Sequence, residues 1–227
     1  MGTPIVVDFP LRGEWIAPNT PGSRIPSHGT SLFGEAYAID FVMVDASART
    51  RKAYRAPLLE YLLRGVPLRD CYGWGQEVLA PLDGEVAAIV DGVAERGRVN
   101  LLEDNAYRVR ATREFSDGTG SLESIAGNYV LLKCSEKVYA LFAHLQRGSI
   151  RVSPGQRVSR LQALGKVGHS GNSMMPHLHM QFMDSADFRT AKGLPFAFRS
   201  YETLRKGVWT EVRDSVPTKA EILRSRR

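Results

Sequence analysis

The stretch "PHLHMQF", Pro176 to Phe182, alternates apolar and polar residues. Successive side chains of an extended strand point to opposite faces. Leu178, Met180 and Phe182 therefore share one face, and His177, His179 and Gln181 share the other. The first face predicts a core contact and the second a cleft. Residues two apart on a strand are separated by roughly 6.6 Å, so two imidazoles can address one small region. Both can ligate one metal, or one can ligate while its neighbour reaches a substrate. Alternation alone leaves them interchangeable.

Working outward, the same period recurs. In "YAIDFV", Tyr37, Ile39 and Phe41 point one way and Ala38, Asp40 and Val42 the other. Aspartate is depleted in strands, and a half-buried carboxylate needs a partner, so Asp40 stands out. "GNYVLLKCSEKVYALFAHL" reads as a hairpin turning at the polar "SEK". Alternation there groups His144 with Ala140 and Phe142, opposite Tyr139, Leu141 and Ala143. "EVLAPLDGEVAAIV" reads as strand, turn, strand. Leu58, Leu59, Leu62 and Leu63 have helical spacing and predict a short amphipathic helix within residues 47–64.

These short strands and tight turns predict a mainly β fold, an antiparallel sandwich or half-barrel core with a short helical insertion. Residues 1–20 read as an irregular lead-in and 21–205 as the β domain, with insertions at 45–73 and 91–127. The second insertion is polar, glycine-broken and expected to hold one strand at 107–111. Residues 206–227 read as a basic tail, partly helical.

Composition bounds the function. The chain has 227 residues, 43% hydrophobic and 24% charged, enough for one sizeable core or two small ones. No apolar run approaches the roughly 20 residues that span a bilayer, so no transmembrane segment is expected. "MGTPIVVDFPLRGEW" lacks the basic n-region of a signal peptide. Cys71 and Cys134 are compatible with one disulfide but too few for a thiolate zinc site, so a metal here would be held by nitrogen and oxygen. The net charge of +6 is concentrated in residues 199–227 and in "RTRKAYR", and reads as solvated surface. No nucleic-acid-binding motif accompanies it, so no nucleic-acid partner is expected.

Five histidines remain as chemistry: His28 on a loop, His144, His169 in a turn, His177 and His179. A catalytic zinc site takes three nitrogen or oxygen ligands and keeps one position open. Without an H-E-x-x-H helix to supply a glutamate base, histidines would have to move the protons. Four histidines and Asp40 satisfy that count, although the count does not say which histidine does which. His169 is assigned to structure or surface.

The ordered set "SHGT…YAIDF", "VLAPLDGEV", "GNYVLLK", "VYALFAHLQ", "VSPGQRV", "LGKVGHSGNS", "PHLHMQF" and "GLPFAF" resembles the lysostaphin-type zinc endopeptidases that cut peptidoglycan. It runs over about residues 24–201. The resemblance implies a fold of the duplicated hybrid motif type. It implies Zn2+ held by His28, Asp40 and His179, with His144 and His177 as the catalytic pair. It also implies a peptidoglycan or peptide substrate and a place in the cell envelope or outside the cell, although no signal peptide is visible. Many members have three residues between the first two ligands, whereas eleven intervene here. A catalytically inactive wall-binding or hydrolase-activating protein of the same fold is the alternative.

Overall fold

The structure, a computed structural model, describes residues 3–47 and 51–225. The first strands are β1 (Ile5–Val7), β2 (Glu14–Ile16) and β3 (Ile39–Met43). An insertion then carries α1 (Leu58–Arg64) and β4 (Val66–Pro67), followed by β5 (Glu77–Leu79) and β6 (Gly84–Val90). A second excursion carries β7 (Arg98–Val99), α2 (Leu101–Ser116) and α3 (Leu122–Ala126). The hairpin β8 (Asn128–Ser135) and β9 (Val138–Leu145) precedes β10 (Arg157–Val158), β11 (Ala163–Lys166) and β12 (Leu178–Met183). The chain ends in β13 (Phe196–Arg205), β14 (Val208–Ser215) and β15 (Ile222–Arg224).

One 11-stranded sheet organises the molecule, in the order β1-β13-β15-β2-β3-β12-β9-β8-β6-β10, with β14 paired to β13. Its pairings are antiparallel except for β1 on β13. The functional strands β3, β12 and β9 are immediate neighbours at its centre. Ile39, Phe41, Phe142, Leu178, Met180 and Phe182 project from one face into the main core, where they meet Val78, Ala80, Leu164 and Val167 from the β5–β11 side. The opposite face of β8 and β9 packs Leu131, Leu141 and Ala143 against Ala126 at the end of α3. The alternation read from β12 and β3 thus corresponds to a dry face and a cleft face. The mainly β fold stands as the sequence predicts.

Four local expectations change. The lead-in is not irregular: β1 and β2 join the sheet, and Val7, Leu11 and Trp15 are fully buried. Strands of three residues are too short to show a period, and β1 on β13 and β2 on β15 pair across about 190 to 210 residues of sequence. The basic tail is strand rather than helix. Lys206 and Gly207 both have positive φ (49° and 82°), the backbone of a two-residue hairpin turn, and they fold β14 back onto β13.

The strand expected at 107–111 lies inside the helix α2. "YRVRA" alternates, but Asn100 caps the helix by accepting from the N–H groups of Leu102 and Glu103, and Glu103 and Asp104 occupy its first turn. Only Asp104 and Ala111, two turns apart, are buried on it. Helix α1 forms within the expected stretch, yet its leucines are exposed and Tyr61 faces Tyr54 instead. Cys71 and Cys134 are both free thiols, and burial pushes them up to about 12 and about 11. No helix among the described residues is long and apolar enough to cross a membrane.

Candidate active site

His179 lies directly across from Asp40 in the β12–β3 register and from Ala143 in the β12–β9 register. Neighbouring strands are under 5 Å apart, so pairing alone brings Asp40 to His179. His28 arrives from the loop before the 3-10 turn Leu32–Tyr37, and its Nε2 stands 2.9 Å from Asp40 Oδ2. His179 Nδ1 stands 2.9 Å from Asp40 Oδ1. The ligand atoms of His28, Asp40 and His179 all lie within 4.8 Å of one another. The eleven intervening residues do not keep His28 away, because the segment doubles back through that turn.

His144 and His177 stand beside this trio. Their ring centroids are 4.5 Å apart, and His177 Nε2 is 3.7 Å from Asp40 Oδ1. His144 departs from simple alternation. It has φ +61°, and the β8–β9 register shifts between Asn128/Leu145 and Val130/Phe142. The extra residue is a bulge, a device that re-aims a side chain. His144 consequently lines the cleft with Leu141 and Ala143, rather than following Phe142, while Leu145 enters the main core. Period-2 reasoning misplaced it for that reason.

Outer partners orient the rings. Ser27 Oγ donates to the Glu35 carbonyl and its free lone pair faces His28 Nδ1, which leaves His28 Nε2 as the nitrogen directed at Asp40. Gln181 Nε2 donates to the Phe33 carbonyl, so its Oε1 accepts from His179 Nε2 at 2.8 Å. That leaves His179 Nδ1 aimed at Asp40. Asn19 Nδ2 donates to Asp40 Oδ2. Carbonyls only accept, so Ser170 O takes the Nδ1–H of His144 and Met175 O that of His177. Gln181 was placed on the cleft face by alternation but given no role, and Asn19 and Ser27 carried no signal in the sequence.

The charges agree with this arrangement. Burial opposes ionisation of Asp40, but the charge of His177 and hydrogen bonds from His179 and His28 outweigh it and hold the carboxyl well below its usual range. Burial also works against a charged His179, yet the hydrogen bond and charge of Asp40 raise it to about 9. Burial and then the neighbouring histidines push His144 well down. Burial lowers His177 more than Asp40 and the Met175 carbonyl raise it.

The site opens into a cleft of about 700 Å³. Phe33 and Phe115 pack against each other in its wall, with ring centroids 4.7 Å apart, and Arg108 and Thr112 of α2 and Ile125 of α3 complete the wall. Of the motif "GKVGHSGNS", Asn172 lines the cleft and the glycines pack behind it. A Cβ on Gly168 would lie 2.3 Å from the Gln146 nitrogen, and one on Gly171 would lie 2.4 Å from the Gly127 nitrogen. The turn thus sits directly on the end of β9, which puts the Ser170 carbonyl beneath His144.

Comparison with known proteins gives partial matches. The model of Peptidase family M23 matches residues 115–190, which hold His144, His177 and His179 but not His28 or Asp40. Peptidoglycan DD-endopeptidase ShyC of Vibrio cholerae is 28% identical over 109 residues, covering 48% of this chain and 19% of that protein. The chain therefore matches about a fifth of that relative's length. A putative peptidase M23 from Pseudomonas aeruginosa superposes with a TM-score of 0.40 at 20% identity, covering 80% of this chain and 47% of that one. The catalytic domain of lysostaphin from Staphylococcus simulans gives 0.37 at 17% identity, covering 80% and 88%. These matches support the lysostaphin-type M23 family for the segment that carries His144, His177 and His179.

Proposed function

We propose that the chain is a zinc-dependent endopeptidase acting on peptide bonds of peptidoglycan stem peptides or cross-links, with zinc held by His28, Asp40 and His179. One observation carries the reading: two imidazole nitrogens, each with its other nitrogen committed to an outer partner, converge on one buried carboxylate. This is the donor set and the outer support that a tetrahedral zinc site with an open position uses. Bound there, the metal supplies a Lewis acid that acidifies water and polarises a peptide carbonyl.

The protein's own groups supply the rest. His177 is held with Nδ1–H on the Met175 carbonyl, so its Nε2 is free to take a proton from the attacking water. Burial lowers its basicity on balance. The new C–O bond forms as that proton leaves, and the same proton passes to the amine nitrogen as the C–N bond breaks. His144, with its Nδ1–H on the Ser170 carbonyl, presents its Nε2 lone pair to the same point as a second acceptor for the proton of the attacking water. The aromatic and aliphatic wall excludes water and seats an extended peptide.

Intact peptidoglycan incubated with the zinc-loaded protein and read by mass spectrometry tests this. New amino termini within stem peptides or cross-links are expected. A digest unchanged by a fully zinc-loaded protein would refute turnover and leave the wall-binding alternative.

A further inference from the structure

His169, Asp104 and Ser173 are buried, with relative exposures of 0%, 1% and 1%, and the reaction outlined above uses none of them. They nevertheless form a continuous chain ending on His177. Asp104 Oδ1 accepts from His169 Nε2 at 3.1 Å. His169 Nδ1 meets Ser173 Oγ at 3.0 Å, and Ser173 Oγ meets His177 Nδ1 at 3.1 Å. Ser173 Oγ also stands 2.7 Å from the Met175 carbonyl, the same oxygen that takes the His177 N–H, so its single proton is shared between that carbonyl and His169 Nδ1.

The far end is anchored. Asp104 Oδ1 also accepts from Arg96 Nε, and its Oδ2 accepts from the Asn100 N–H. Arg96 reaches on to the carbonyls of Gly171 and Ser173. The segment 91–127 therefore clamps the turn before β12 from outside the sheet.

We propose that Asp104, His169 and Ser173 are positioning residues for His177. His177 stands one residue before β12, so the sheet ladder does not fix its ring. The carbonyl that orients it belongs to the same short loop and fixes the ring only if that loop is itself held. Ser173 ties the ring and the carbonyl together, and His169 ties Ser173 to a carboxylate braced by Arg96. Linked hydrogen bonds polarise one another, so the chain stiffens His177 more than its separate contacts would. The turn histidine, which sequence alone assigns to structure or surface, thereby gains a place in the reaction.

This inference rests on His177 acting as proposed above, and the test separates the two. Ser173→Ala and His169→Asn are prepared zinc-loaded and compared with wild type in peptide hydrolysis and in NMR exchange of the His177 Nδ1 proton. kcat should fall about 10–100-fold, the usual range for an outer hydrogen-bond partner. KM and zinc content should stay close to wild type, and the Nδ1 proton should exchange faster. Folded, zinc-loaded variants with unchanged kcat and exchange would overturn the proposal and leave the chain a brace for the turn alone. A wild-type protein that cleaves no peptide would refute the peptidase reading, while proton exchange would still decide the positioning role.

Discussion

Gly171→Ala should destabilise the protein well beyond what backbone strain alone explains. Gly171 has φ +64°, and an added Cβ would lie 2.4 Å from the Gly127 nitrogen and 2.6 Å from the Ile125 carbonyl oxygen. Those are backbone atoms that cannot rotate aside. Gly155→Ala is the control: φ is +79° there, but nothing lies within 4 Å of its Cβ position. Positive φ in a residue with a side chain costs roughly 1–2 kcal/mol, and both variants share that cost. Overpacking adds about 1–3 kcal/mol for Gly171 only. The expected losses are thus about 1 kcal/mol for Gly155→Ala and about 3 kcal/mol for Gly171→Ala. At this chain length 1 kcal/mol corresponds to about 2–4 °C in Tm, so the variants should melt roughly 2–4 °C and 6–12 °C below wild type. Urea unfolding at fixed zinc occupancy gives the free energies directly. Equal losses within about 0.5 kcal/mol would refute the close approach of the glycine turn to Gly127, and with it the account of the turn packed behind His144.

Other expectations follow from the site. His177→Ala and His144→Ala should each lower kcat by about 10²–10⁴ while retaining zinc, as loss of a proton-transfer group does; metal content and steady-state kinetics measured on one preparation check this. Gln181→Ala frees the outward N–H of His179 and should weaken zinc binding about 10–100-fold, measured by competition with a chromogenic chelator. Asp104 is held below its usual pKa; burial opposes this, but the hydrogen bond and charge of His169 and the hydrogen bond from Arg96 prevail. A depressed carboxylate contributes stability above its unfolded pKa and loses it as pH falls through the folded one. Wild type should therefore lose stability on acidification below about pH 4, and Asp104→Asn should lose less over that window, in urea unfolding at a series of pH values.

The strands that carry the chemistry were legible because each has one dry and one wet face. β12 and β3 read correctly by period 2, and cross-strand pairing of His179 with Asp40 needed only their adjacency. His144 was found as a residue but not as a direction, because one bulged position reverses parity and leaves no trace in composition. The lead-in strands were missed because β1 and β2 pair with β13 and β15 far along the chain, and the final hairpin because its Lys206-Gly207 turn lacks the usual Asn-Gly or Asp-Gly signal. The strand expected at 107–111 failed for a local reason: its alternating "YRVRA" lies downstream of an asparagine cap that commits the segment to helix. His169 looked like a turn residue in sequence, and only the excursion carrying Asp104 and Arg96 shows what it touches.

The central claim is that His28, Asp40 and His179 hold one zinc ion. Anomalous diffraction at the zinc edge, on crystals of the zinc-loaded protein, tests it most directly. The account predicts a single strong peak about 2.0–2.2 Å from His28 Nε2, an Asp40 oxygen and His179 Nδ1, and its loss in His179→Ala. A peak at other residues, or one undiminished by His179→Ala, would contradict it.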